Sequence, residues 1–144
     1  MSRSAIMDRI DALLDGVSDP NFTEVMRGEP LGIAGTPCVA FWLTSRDVEF
    51  KTLTGVTSNC NFTIRAYFRI QTSKDIRETT ELDVWDAMVN IDTALRADSD
   101  LSGNAIDTDI GTATTGYTEI SGVAFRTVDI PYSVMLGNEV TITP

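Results

Sequence analysis

Residues 76–110 read IRETTELDVWDAMVNIDTALRADSDLSGNAIDTDI. The stretch opens as an amphipathic helix, expected over about 76–97. Val84, Met88, Ile91 and Leu95 recur at helical spacing and are flanked by Ala87 and Ala94, which makes one apolar stripe. Leu82, Trp85 and Val89 form a second apolar edge at i, i+3 and i+7. The apolar surface is therefore wider than one sheet contact needs. An acidic turn with Leu101-Ser102-Gly103 ends the helix, and a strand begins after it.

Upstream, a first helix is expected over about residues 4–16. Ser4 reads as its N-cap, and Asp8 as an acid in the first turn, where the helix dipole favours one. Ile6, Ile10, Leu13, Leu14 and Val17 form its apolar face, with Asp8, Asp11 and Asp15 on the wet face. Gly16 is a natural terminator, and Asp19-Pro20 prevents continuation. Residues 18–36 read as a partly ordered connecting loop, with Phe22, Val25, Leu31 and Ile33 as its anchors.

The middle is strand-rich. Residues 37–44, PCVAFWLT, read as a strand covered on both faces. Residues 46–53 alternate, Val48 and Phe50 against Asp47, Glu49 and Lys51, and a polar connection follows over 54–59. Residues 60–71 alternate strictly, which puts Cys60, Phe62, Ile64, Ala66, Phe68 and Ile70 on a core. Asn61, Thr63, Arg65, Tyr67, Arg69 and Gln71 then form a polar face.

After the acidic turn, strands are expected at 105–110, 117–121, 123–134 and 140–143, separated by Gly111, Gly116, Gly122 and Gly137. Val128, Ile130, Tyr132 and Val134 share one face. Pro131 cannot donate a ladder hydrogen bond and calls for a free edge or a bulge. The order helix, strands, helix, strands implies one domain over 1–144. Its class is α+β, an antiparallel or mixed β-sheet with two α-helices packed on one face.

Composition excludes several function classes. Of 144 residues, 21 are acidic and 11 basic, a formal net charge of −10 that disfavours a conventional nucleic-acid-binding module. Histidine is absent, and with it the commonest general base and metal ligand. Cys38 and Cys60 are too few for a structural zinc site and read as two buried free thiols. Lacking a long apolar run or a leader-like segment, the sequence implies a soluble protein made in a reducing cytoplasm. The Asn21 and Asn61 glycosylation patterns then read as chance.

The best chemical candidate is residues 98–109, which carry oxygen side chains, a glycine and a final acid in the order of an EF-hand calcium loop. Asp98, Asp100, Asp107 and Asp109 would be the ligating acids. Against it stand Asp109 in place of a bidentate Glu, the small Ala105, and a strand-like segment where an exit helix is required. The expectation is no metal and a solvated, Asp-rich turn. Residues 111–116 lack the ending of a phosphate loop and read as a flexible hairpin. No catalytic set or cofactor site is expected, since a carboxylate pair carries no sequence signal among so many acids.

The chain resembles the tail-terminator (tail-completion) proteins of long-tailed bacteriophages. The resemblance rests on AIMDRIDALLDGV at 5–17, the strand-rich middle, VWDAMVNIDTALRADSDLSGNAIDTDI at 84–110 and VAFRTVDIPYSV at 123–134. It covers most of the length as a pattern of elements; residues 18–36 depart from it most. It implies a sheet flanked by two helices, and a six-fold homo-oligomeric ring in the neck region of the virion. Such a ring caps the head-proximal end of the tail tube, stops polymerisation and joins the head. Its partners would be the tail tube protein and a head-completion or connector protein, and DNA would pass its lumen without specific binding. From patterning, and not from a family motif, Leu82, Trp85 and Val89 are candidates for the subunit interface. Residues 45–59, with Arg46, Asp47, Glu49 and Lys51, are a candidate projecting hairpin for the tube or neck. Alternatives are another connector or tube-like ring protein, a calcium-dependent binding module, or an enzyme using carboxylates.

Overall fold

The computed structural model describes residues 3–51, 55–70 and 73–141, without the side chains of residues 49–51, 75–76 and 138–141. The elements run α1 (Arg3–Asp15), β1 (Val25–Arg27), β2 (Cys38–Lys51), β3 (Gly55–Arg69), α2 (Lys74–Arg96), β4 (Asp107–Ile110), β5 (Thr114–Ile120) and β6 (Val123–Thr141). Among the described residues they form one six-stranded mixed sheet, ordered β1-β2-β3-β6-β4, with β5 also paired to β6. Only β1 and β2 are parallel. The α+β class with a mixed sheet is as expected.

The main core lies between the helices and one face of the sheet. Ile6, Ile10 and Leu14 of α1 and Val84, Ala87, Ile91 and Leu95 of α2 meet Val39, Phe41, Phe62, Ile64, Val128, Ile130 and Tyr132. Helical and strand periodicities converge here, because each element buries the one face its apolar pattern defines. The opposite sheet face holds a smaller cluster of Cys38, Ala40, Tyr67 and Phe125. Tyr67 is fully buried, which corrects the expectation of a uniformly polar second face on β3. The connection after β1 runs across this face. Ile33 packs on the cluster, and Ser121 Oγ donates to the Leu31 carbonyl at 3.0 Å. Leu31 therefore anchors through its backbone, and its side chain is exposed.

Several expectations change. Ser4 lies inside α1, and Asp8 sits beyond the first turn, so neither acts as foreseen. Asp8 and Asp11 instead receive Arg27 of β1, at 2.6 and 2.8 Å, a strand absent from the sequence reading. β2 is one strand, not two, with register irregularities between Leu43 and Ser45 and between Val48 and Phe50. Only its start is covered on both faces, since Leu43 and Thr44 are exposed. β3 ends at Arg69, so Ile70 leaves the core face. Leu53, Gln71 and residues 142–143 lie outside the described residues.

β6 runs unbroken through Gly137, and the expected strand at 140–143 begins as its continuation. β4 and β5 lie end to end along its outer edge, so 111–116 is not a hairpin: 111–113 links them and 114–116 belong to β5. Pro131 stands opposite that link, where the free edge was expected. Its carbonyl accepts from the Gly111 amide at 2.8 Å, while the ring forfeits no ladder donor. The β5–β6 turn has positive φ at Ser121 (52°) and Gly122 (80°), the type I′ geometry that suits strand twist.

Candidate assembly surfaces

In α2, Val84, Ala87, Ile91 and Leu95 face the core. At about 100° per residue, Leu82, Trp85 and Val89 lie roughly 140° round the helix from them. They are exposed by 57%, 68% and 51%. The second apolar edge is therefore a solvent-facing stripe, not a flank of the sheet contact. Acids border it: Glu78 one turn before Leu82, with Glu81, Asp86 and Asp92 to its sides. Glu81 is bound by Arg126 of β6 at 3.1 Å, and Arg126 also stacks on Tyr117, 4.9 Å from its centroid. Asp92 pairs with Arg96 one turn on, at 2.5 Å. The Glu81–Arg126 pair ties the helix to the sheet, the Asp92–Arg96 pair lies within the helix, and neither buries the stripe.

The second surface is a groove of about 630 Å³ between the start of α1, the middle of β2 and β3, and the second half of β6. Its floor is apolar: Ile6, Met7, Leu43, Phe62, Val134 and Leu136, with Cys60. Among the described residues, Arg3 and Arg46 are its charged lining residues and none of those lining it belongs to α2. Sequence reading missed it, because its walls come from four elements far apart in the chain.

Of the candidate hairpin contacts, Arg46 and Asp47 fall on opposite faces of β2. Arg46 lines the groove on the helix side. Asp47 lies on the outer face, where it and Ser45 accept from Asn61 Nδ2 at 2.7 and 2.9 Å. Asn61 Oδ1 in turn accepts from Ser133 Oγ at 2.7 Å. The side chains of Glu49 and Lys51 lie outside the described residues. Further along the outer face Arg65 grips Asp129 through two bonds, at 2.5 and 3.3 Å, and lies 5.4 Å from the Trp42 ring centroid.

The acidic turn is built as structure. Leu101, Ser102 and Gly103 all have positive φ, 50°, 59° and 85°, which costs about 1–2 kcal/mol for each non-glycine residue. Complete burial of Leu101 offsets part of that cost. Asp98 offsets more: it accepts from the Ser102 amide at 2.9 Å, the Ser102 hydroxyl at 3.2 Å and Arg9 at 2.5 Å. Burial pushes the Asp98 carboxyl up, but these hydrogen bonds together hold it below the usual carboxylate range. Asp98, Asp100, Asp107 and Asp109 do not converge into a ligand set, and β4 follows where a calcium loop needs a helix.

The carboxylates that do converge, among the described residues, are Asp19, Asp83 and Asp86, whose oxygens lie within 4.8 Å of one another. Burial first, then Asp19 and Asp86, raises the Asp83 carboxyl above its ordinary value. Asn90 of α2 donates to the Asp19 carbonyl and so fixes this corner. The i, i+3 spacing of Asp83 and Asp86 is visible in the sequence, but the approach of Asp19 is not. Both cysteines are buried free thiols, as expected. Burial pushes Cys38 up to about 11, so it stays protonated and unreactive near neutral pH.

No helix is long and apolar enough to cross a membrane. No protein-family model and no curated protein matches the chain.

Proposed function

We propose that this chain is a structural assembly protein. It forms a homo-oligomeric, six-fold ring that caps the head-proximal end of a phage tail tube, stops tube polymerisation and offers the surface that joins the head. The observation that carries the reading is the exposed stripe of Leu82, Trp85 and Val89, on a helix whose other face already completes a core. Fully burying such side chains is worth about 1.5–3 kcal/mol each, a strong drive toward a partner. The element plan, two helices on one face of a mixed sheet, agrees with what the resemblance implies. The excess of acid suits a lumen past which DNA slides without adhering. The protein then acts in the neck of the virion, between the tail tube and a head-completion or connector protein.

Negative-stain electron microscopy tests this. Purified protein is imaged at high concentration with magnesium, alone and mixed with isolated tail tubes. Six-fold rings, or density capping tube ends with growth arrested, are the expected result. Tubes left bare and still growing would remove the capping function.

A further inference from the structure

We draw no further inference here: the strongest candidate, the apolar groove between the start of α1 and the sheet, carries nothing because nothing in the structure shows what covers it.

Discussion

Asp98 joins two parts of the chain that the sequence separates widely. Its carboxylate takes Arg9 from α1 and, on its other side, the amide and hydroxyl of Ser102 in the left-handed turn. Replacing it by Asn removes charge-assisted acceptors from a site only 13% exposed. We expect Asp98→Asn to cost about 1–2 kcal/mol at pH 7, less than a buried charged bond because Arg9 is partly solvated. The folded-state carboxyl is depressed, so its contribution is complete above the unfolded value of about 3.9. It is lost as pH falls through the lower folded value. Urea titrations of parent and variant should therefore differ at pH 7 and converge toward pH 3; a gap constant with pH would show that the carboxylate's charge is not what matters. The turn was legible in the sequence as Asp-rich. Arg9 as its partner was not, because nothing local links residues 9 and 98.

Along β6 two glycine contacts separate room from necessity. A Cβ on Gly137 would come within 2.9 Å of Ile106 Cδ1, the far end of an exposed side chain that can turn aside. One on Gly111 would meet the Pro131 ring at 3.1 and 3.2 Å, and β6 is held there by its full ladder with β3. Gly137→Ala should therefore change stability by less than about 0.5 kcal/mol. Gly111→Val should cost about 1–3 kcal/mol by overpacking at the point where β4 gives way to β5. Thermal melts of both variants decide this, and equal effects would refute the distinction. The sequence marked both glycines as breaks. The fold uses Gly111 as one and carries β6 on past Gly137, which still pairs with Thr57 of β3, although the register shifts immediately beyond it.

At the scale of the whole molecule, a formal charge of −10 on one small domain acts against compactness as well as against nonspecific contact with DNA. Several arginines are already committed in pairs, Arg9, Arg27, Arg65, Arg96 and Arg126 among them, so much of the acid lacks a cation. Raising NaCl from about 10 to about 300 mM screens charges more than a few ångströms apart. The melting midpoint should rise across that range, and it should rise further where association occurs, since two such chains repel at long range. A midpoint that falls with salt would mean that the paired arginines, not the unpaired acids, dominate the electrostatics.

Two helices, the strand-rich segments, their buried faces and the buried cysteines were determined by the sequence itself, because periodicity and burial are local consequences of which side chains repeat at which spacing. So was the spare apolar edge of α2, as three residues beyond what one stripe requires. Only the tertiary structure decided where that edge faces, that Tyr67 is buried on the supposedly polar side, that β1 pairs with β2, and that the groove exists. Each of these depends on which elements become neighbours. Neighbours distant in the chain are chosen by the summed packing of all the faces, not by any one segment's pattern.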